Sequence, residues 1–380
     1  MKVVIAPQGF KGNLTALEVS VAIEKGIRRV VPQVIASLVP MADGGEGTTQ
    51  ALVDALGGEM IPVTVTDPMG GRVVACWGFL SDGVTAVIEM AAASGLGLVS
   101  PEKRNPLLAT TYGTGELIGD ALEKGCRKFI IGIGGSATND GGAGMAQALG
   151  AGLFDGREEP IKFGGAALAN LEHIDITTLD HRLAECDILV ACDVDNPLCG
   201  PEGASCVYGP QKGATSQMVA RLDSALAHYA SVIRRDLGID IRNVPGVGAA
   251  GGLGAGLMVF LKAKLQPGIE IIIQATGLVE RLKGASLVFT GEGRIDSQTA
   301  CGKTPVGVAR KAKEFGLPVI ALAGEIGDGY QAVYEQGIDT VFSIAPGPIS
   351  FRESSRRAEE LTADVAERAM RLFICNKKLK

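Results

Sequence analysis

The sequence is poor in aromatic residues and histidine, and it has no paired cysteine motif. Aromatic residues make up 4% of the 380 residues, and there are only 3 histidines. The 8 cysteines form no C-x-x-C pair, which argues against a zinc site. With no secretory segment in view, we expect these cysteines to be reduced and mostly buried.

Basic segments and long apolar runs are also missing. The formal net charge is −6, and lysine clusters only at 377, 378 and 380, so nucleic acid is not an expected partner. The apolar run at residues 3–6 is too short for a signal peptide. Residues 243–261 carry no charge but include 6 glycines, which indicates a loop and a buried helix rather than a membrane span. We expect a cytoplasmic protein that acts on a small molecule.

Glycine is the residue present in excess. There are 53 glycines in 380 residues, about twice the usual share of roughly 7%. They show no collagen period, so they indicate tight turns and places where backbone approaches a ligand closely. The core must then be built mainly from Ala, Val, Ile and Leu, which is typical of an α/β protein.

The order of the predicted elements differs between the two ends of the chain and its middle. The two ends alternate strand and helix, which predicts parallel strands. Residues 60–89 instead contain three strand-like runs joined by turn signals, which predicts an antiparallel meander. We predict an α/β fold in which a Rossmann-like parallel-sheet domain, residues 1–62 plus 285–380, is interrupted by an inserted mixed α/β domain, residues 63–284.

Two segments match the dinucleotide pattern G-x-G-x-x-G/A, at residues 132–137 and 246–251. The first follows a predicted strand and the second does not, so only the first has the expected context. A nicotinamide enzyme also needs an acidic residue about 20 positions further on, at the end of the next strand. Asp155 has roughly that spacing but lies in a segment that reads as a hairpin. A nicotinamide-dependent oxidoreductase of a small hydroxy acid remains an alternative.

The residues after the first match are better suited to phosphate. Small residues from 134 to 144 would expose successive backbone N–H groups, and a helix is predicted over residues 140–150. Gly134, Gly135, Ser136 and Thr138 are therefore predicted to bind the phosphates of a nucleotide. The alternative is a tight turn that needs glycine for steric reasons only.

A third glycine-rich segment, residues 291–305, ends in Gly302-Lys303-Thr304 and is similar to a P-loop. The Walker pattern requires a glycine where Ser297 stands, so it fails at that position. What remains is a turn predicted at the end of a strand over residues 287–290. Four charged residues are concentrated there: Glu292, Arg294, Asp296 and Lys303.

Further charged residues follow other predicted strands. Asp43 and Glu46 follow the second strand, Asp193 follows a buried strand at 188–192, and Lys11 follows the first strand. Magnesium takes one or two carboxylates together with phosphate oxygens. Lysine and arginine offset charge on a transferring phosphoryl group, and an aspartate can accept the proton of the attacking hydroxyl. This set of residues predicts phosphoryl transfer.

The motifs taken together resemble the type 1 glycerate kinase family, a bacterial family that includes glucarate- and glyoxylate-pathway enzymes. The resemblance covers about residues 1–345. It is carried by AP at 6–7 with FK at 10–11, ADGGEGT at 42–48, IEMAAASG at 88–95, YGTGE at 112–116, GGSAT at 134–138, ACDVDNPL at 191–198, GPQKGA at 209–214 and TGEGRID at 290–296. It implies ATP- and Mg²⁺-dependent phosphorylation of D-glycerate, at the 2-hydroxyl, in a cleft between two α/β domains.

The resemblance also yields an expectation for each site residue. Asp193, Lys11, Arg294 and Lys303 are expected to be catalytic, and Arg294, Lys11, Ser94 and Asp296 to bind substrate. Asp43 and Glu46 are expected to hold Mg²⁺, and residues 134–138 the ATP phosphates. One departure is that Gln8 and Gly9 stand where the family pattern has an Asp-Ser pair. A two-lobed binding protein for a small acid is the alternative that is not an enzyme.

Overall fold

The computed structural model describes residues 1–10 and 12–377, and it confirms the α/β class. The strands are β1 (Lys2–Ile5), β2 (Ile35–Leu38), β3 (Gly58–Thr66), β4 (Arg72–Leu80), β5 (Thr85–Glu89), β6 (Lys128–Gly132), β7 (Gly152–Phe154), β8 (His173–Asp175), β9 (Asp187–Ala191), β10 (Lys264–Gln266), β11 (Leu287–Ile295), β12 (Val319–Ile326) and β13 (Thr340–Ser343). The helices are α1 (Ala16–Arg28), α2 (Thr48–Leu56), α3 (Ala91–Ser94), α4 (Tyr112–Glu123), α5 (Ala143–Ala148), α6 (Ala204–Tyr208), α7 (Ser216–Leu237), α8 (Ala249–Leu261), α9 (Gly268–Thr276), α10 (Leu278–Leu282), α11 (Thr304–Glu314), α12 (Phe351–Arg356) and α13 (Ala358–Lys377).

The chain forms two compact units. The first unit consists of Met1–Asp43, Gln50–Gly57 and Ile269–Lys380, and the second of Gly44–Thr49 and Gly58–Gly268. Each unit has its own sheet and its own apolar core. The boundaries given above for independently folding domains stay a prediction.

The sheet of the first unit contains five parallel strands in the order β13-β12-β11-β1-β2. Val3 of β1 lies opposite Leu287 of β11 on one side and Ala36 of β2 on the other. Counted along this unit, the order is 2-1-3-4-5, that of a doubly wound sheet. Such sheets bind ligands at the carboxyl ends of the strands where the winding direction reverses, here between β1 and β11.

Burial and capping explain why the first unit folds locally as it does. Val3, Val4 and Ile5 have no exposed surface, as expected of a central parallel strand covered on both faces. Helix α1 starts with a capping box in which Thr15 and Glu18 each bind the other's backbone N–H. The apolar face of α1 packs against α13 in the same core.

Strand β11 is longer than the sequence predicts. Residues 291–295, expected to form a turn, continue the strand and pair with β12, with Arg294 opposite Glu325. A Cβ atom at Gly291 would lie 2.2 Å from the carbonyl oxygen of Leu322, so glycine is what lets the two strands approach here. The expectation of a turn was therefore wrong, because these glycines serve a close strand contact.

The sheet of the second unit has six strands in the order β10-β9-β6-β5-β4-β3. The predicted meander is confirmed, since β3 with β4 and β4 with β5 pair antiparallel. The remaining neighbours, β5 through β10, pair in parallel. The unit buries Trp77 completely, and its indole N–H donates to Asp120 at 2.8 Å.

The charge-free stretch at 243–261 is a loop followed by α8, whose residues are almost all buried within the second unit. Its first turn is interrupted by left-handed backbone at Ala250, Gly251 and Gly252. Over the described part of the chain, no helix is both long and apolar enough to cross a membrane.

The cysteines are less buried than expected. All eight are free thiols, but only Cys126 is buried, and Cys301 and Cys375 are exposed. The expectation that most of them are buried was wrong, because Cys186, Cys192 and Cys199 pack at the margin of the core of the second unit and are only partly buried.

Two helical glycines provide a matched test of the packing of α1. A Cβ at Gly26 in α1 would lie 2.1 Å from the backbone oxygen of Ala363, whereas a Cβ at Gly119 in α4 would meet no atom within 4 Å. We expect Gly26→Ala to lower the free energy of unfolding by about 1–3 kcal/mol. Gly119→Ala should raise it by about 0.5–1 kcal/mol, because alanine favours helix. Urea denaturation followed by circular dichroism measures both, and a Gly26→Ala variant as stable as the wild type would contradict the α1–α13 contact.

Candidate active site

A cavity of about 360 Å³ lies in the first unit at the carboxyl edge of its sheet. The loop after β1, the ends of β11, β12 and β13, and the start of α11 and α12 form its wall. Its polar and charged residues are Gln8, Asn13, Asp43, Glu292, Arg294, Lys303, Glu325, Ser354 and Ser355, and its apolar residues include Phe10, Ile344, Phe351 and Ala358. The structure thus brings together three predicted site residues, Asp43, Arg294 and Lys303, at the switch point between β1 and β11.

Arg294 is held by two carboxylates. Its guanidinium lies 3.1 Å from Asp296 and 3.3 Å from Glu325, and its side chain is 55% exposed. Asp296 also accepts the N–H of Gln298 at 2.9 Å, so it shapes the loop after β11 as well as orienting the arginine. The two ion pairs are partly exposed and therefore weak, which leaves Arg294 able to exchange a partner for an anionic ligand.

Glu292 is the carboxyl group buried deepest in the cavity wall. Burial raises its pKa, and the hydroxyl of Thr299, which donates to Glu292 Oε1 at 2.5 Å, and the positive charge of Lys303 both oppose that shift. The nearby carboxylate of Asp43 adds to the rise. Glu292 was part of the charged cluster seen in the sequence but was not among the predicted site residues.

The loop after β1 differs from the family pattern in a way that the structure explains in part. Gln8 is 6% exposed, and its Oε1 has no hydrogen-bond partner in the described ranges. A Cβ at Gly9 would lie 2.9 Å from the carbonyl oxygen of Leu14, so a serine at this position would force the loop to move. Lys11, predicted to be catalytic, lies outside the described residues.

Asp193 and the loop at residues 44–49 belong to the carboxyl edge of the second sheet. Asp193 follows β9, is exposed, and accepts the N–H of Gly268 on Oδ1 at 2.8 Å. Glu89, at the end of β5, accepts the N–H of Thr49 at 2.8 Å and that of Gly47 at 3.3 Å. These bonds hold the loop that carries Glu46, itself exposed, against the sheet.

Burial also raises the pKa of Glu89, which those backbone donors oppose and the neighbouring Glu46 increases. Glu89 was not among the predicted site residues, because the loop it binds lies 40 residues away in the chain. The signal that could have found it is its position at the end of a predicted strand, inside a motif of the resemblance.

The predicted phosphate loop follows β6 and is only partly open. Gly134 and Gly135 are exposed, Ser136 is 7% exposed, and Thr138 has no exposed surface. The Ser136 hydroxyl accepts a hydrogen bond from Lys212, which also donates to the backbone oxygen of Thr138. The exposed part of the loop is therefore its first two glycines.

The helix expected over residues 140–150 is the short α5, and its first amides are already occupied. Asp140 accepts the N–H of Gly142 at 3.2 Å and of Gly144 at 3.3 Å, together with both the N–H and the hydroxyl of Thr111. Burial raises the pKa of Asp140, and these donors oppose that shift. The Asp140 carboxylate thus binds the N-terminal amides of α5 that were predicted to bind phosphate.

Ser94, predicted to bind substrate, is fully buried in the second unit. Its hydroxyl lies 2.9 Å from that of Thr114, and its carbonyl accepts the N–H of Ala137 at 3.0 Å. Both contacts are internal to the protein and support the phosphate loop from its buried side. A substrate contact of Ser94 stays a prediction.

The nicotinamide pattern lacks its acidic residue. Asp155 directly follows β7, a three-residue strand that pairs only with β8 among the described elements. Its carboxylate accepts the N–H groups of Arg157 and Glu159, so it closes its own hairpin. Because Asp155 is not at the end of a neighbouring parallel strand, the ribose contact of a dinucleotide site is missing.

No group of three histidine, cysteine, aspartate or glutamate side chains within residues 1–10 and 12–377 could hold a metal ion. Magnesium requires only one or two carboxylates, with waters and phosphate oxygens completing its octahedron. Asp43 in the cavity wall and the exposed Glu46 supply oxygen donors of that kind. The donor set fits magnesium and does not fit zinc.

Comparisons with known proteins agree with these motifs. A profile of the Glycerate kinase family matches residues 3–374. The glycerate kinase of Halalkalibacterium halodurans is 55% identical over 96% of both chains, and the glycerate 2-kinase of Escherichia coli is 54% identical over 94% of both. A crystal structure assigned to glycerate kinase 2 of Salmonella typhimurium LT2 superposes over the whole of both chains with a TM-score of 0.93 at 49% identity. On this evidence, the chain belongs to the glycerate kinase family.

Proposed function

We propose that the protein transfers the γ-phosphoryl group of ATP to the 2-hydroxyl of D-glycerate and releases 2-phospho-D-glycerate and ADP in the cytoplasm. Membership of the family supports the phosphotransfer, and the name of the E. coli relative supports the 2-position. The observation that carries the proposal for this chain is the cavity of the first unit, where two cations and several hydrogen-bonding groups line a space large enough for a small acid.

The carboxylate of glycerate pairs with Arg294 in this cavity. Lys11, outside the described residues, is the second cation expected from the sequence to bind the acid. The guanidinium presents two N–H groups in one plane, a geometry that matches a carboxylate. Asp296 and Glu325 hold Arg294 in place before the acid arrives. Lys303, at the N-terminus of α11, offsets the charge that develops on the transferring phosphoryl group.

Asp193 orients the attacking hydroxyl and accepts its proton. The hydrogen bond from Gly268 fixes the direction of its carboxylate, so little reorganisation is needed when the substrate binds. The exposed amides of Gly134 and Gly135 bind phosphate oxygens, while Ser136 and Thr138 fix the shape of that loop from inside.

Asp43 and Glu46 would hold Mg²⁺ through their carboxylate oxygens. The bound ion would supply positive charge to the phosphate oxygens of ATP. Glu89 supports this arrangement indirectly, because it binds the backbone of the loop that carries Glu46.

The first test is a coupled assay with ATP, Mg²⁺ and D-glycerate. We expect ADP release with D-glycerate and none without an acid. The phosphorus signal of the product should be split by the single hydrogen on C2, whereas a 3-phosphate would be split by two hydrogens. If no ADP forms with D-glycerate or with related hydroxy acids, the proposed function fails.

Asp193→Asn tests the proposed proton acceptor. Asparagine keeps an oxygen that can accept the Gly268 N–H, so the local fold should persist while the basic group is lost. We expect kcat to fall by roughly 10²–10⁴-fold. Asp195→Asn, an exposed neighbour to which no role is given, is the matched control. A kcat equal to that of the wild type would make Asp193 a structural residue.

Arg294→Met tests the proposed carboxylate contact. Loss of a charged hydrogen bond should raise the KM for D-glycerate by about ten- to a hundredfold and change kcat less. Arg310→Met removes an exposed arginine of the same unit that bonds only to Gln336 among the contacts described, and it should leave KM unchanged. Equal KM values in the two variants would show that Arg294 does not bind the acid.

A further inference from the structure

The second unit contains a lysine that the proposed mechanism does not use and that is almost completely buried. Lys212 ends the short turn Pro210–Lys212 and is 1% exposed. It lies in the GPQKGA motif, one of those that carried the family resemblance. Burial of an ammonium group is costly unless its N–H groups are bonded, so the partners of Lys212 indicate what it does.

Both bonds of Lys212 go to the phosphate loop. Its Nζ donates to Ser136 Oγ at 2.8 Å and to the backbone oxygen of Thr138 at 2.7 Å. The buried amino group of Lys212 therefore binds both a side chain and a backbone carbonyl of the phosphate loop. The free side of that loop is the exposed pair Gly134 and Gly135.

The charged and titratable neighbours of Lys212 are few. The carboxylate of Asp140 interacts with it, but that carboxylate is bonded to Thr111 and to the first amides of α5. Tyr229 is buried beside Asp140, and burial raises its pKa, so it stays neutral. The backbone of Arg104 lies against Gly213, next in sequence to Lys212.

Some buried polar atoms around Lys212, on the inner side of the phosphate loop, lack a hydrogen bond. Thr138 Oγ1 and Asn139 Oδ1 are buried with no hydrogen-bond partner in the part of the chain that the structure describes. Buried polar groups with incomplete pairing respond strongly to a charge placed nearby, because little solvent screens it. Lys212 is bonded to the backbone of Thr138 on this side of the loop, so its charge acts directly on these groups.

We propose that Lys212 is the positioning residue of the phosphate loop and that it takes up a proton when phosphate binds to that loop. The inference rests on the proposed function, in which Gly134 and Gly135 bind the phosphates of ATP.

Physical chemistry gives the direction of the change. Burial lowers the pKa of Lys212 to about 7, and the Asp140 carboxylate opposes that shift. Near pH 8 most molecules of the free protein then carry a neutral amine, which still has two N–H groups for Ser136 and Thr138. A phosphate anion above the loop favours the ammonium form, so binding draws a proton from the buffer onto Nζ.

Isothermal titration calorimetry tests the proposal near pH 8, where Lys212 should be mostly deprotonated. The Mg²⁺ complex of a non-hydrolysable ATP analogue is titrated into the full chain in buffers of different ionisation enthalpy. We expect the wild type to take up a fraction of a proton on binding. Lys212→Met should abolish that uptake and weaken binding by about tenfold or more, the loss expected of a charged hydrogen bond. Lys124→Met, which removes an exposed lysine of the same unit, should change neither quantity.

Ser136→Ala is the second variant, since it removes one of the two bonds and keeps the lysine. We expect weaker binding by several-fold with proton uptake retained, a combination that a merely structural role would not produce. Wild-type binding without proton uptake, or equal uptake and affinity in Lys212→Met, would overturn the inference, as would an unchanged affinity in Ser136→Ala. Absence of any nucleotide binding by the wild type would instead overturn the proposed function.

Discussion

The parallel pairing of β1 with β11 is the contact on which the first unit depends. β1 has only four residues, and burial between β11 and β2 is what makes so short a strand stable. The same pairing aligns the loop after β1 with the far end of β11. Gln8 and Glu292 share a cavity wall only because these two strands are neighbours.

The cations of the two units are stabilised in opposite ways. Arg294 stays partly in water and is balanced by two weak ion pairs, so its geometry is adjustable. Lys212 is removed from water and held by two short hydrogen bonds, so its geometry is fixed and its charge adjustable. An arginine would not serve in the second position, because its pKa is too high to respond near neutrality.

Local patterns in the sequence were enough to predict the α/β class, the meander of β3 to β5 and the glycine loops that follow β2 and β6. These features depend on neighbouring residues, such as the continuous apolar run of β1. The length of β11 could not be predicted, because its glycines lower strand propensity locally and are needed for contact with Leu322, which is distant in sequence.

The roles of several site residues also depended on distant partners. Lys212 binds Ser136 from 76 positions away, and Glu89 binds Thr49 from 40. The sequence placed a phosphate at the start of α5, where the structure has Asp140, since a chain can use its own carboxylate to satisfy helix amides. Resemblance to a family identified the motifs, but it did not indicate which of their members face inward.

The packing of α1 against α13 has a consequence for the order in which the protein is made. β1 and α1 are made before the strand and the helix that cover them, β11 and α13, which come more than 250 residues later in the chain. Nearly all of the second unit is one continuous segment that is complete in between. The apolar surfaces of β1 and α1 that face β11 and α13 therefore stay uncovered until those later elements have been made, and exposed apolar segments of this kind are prone to aggregation.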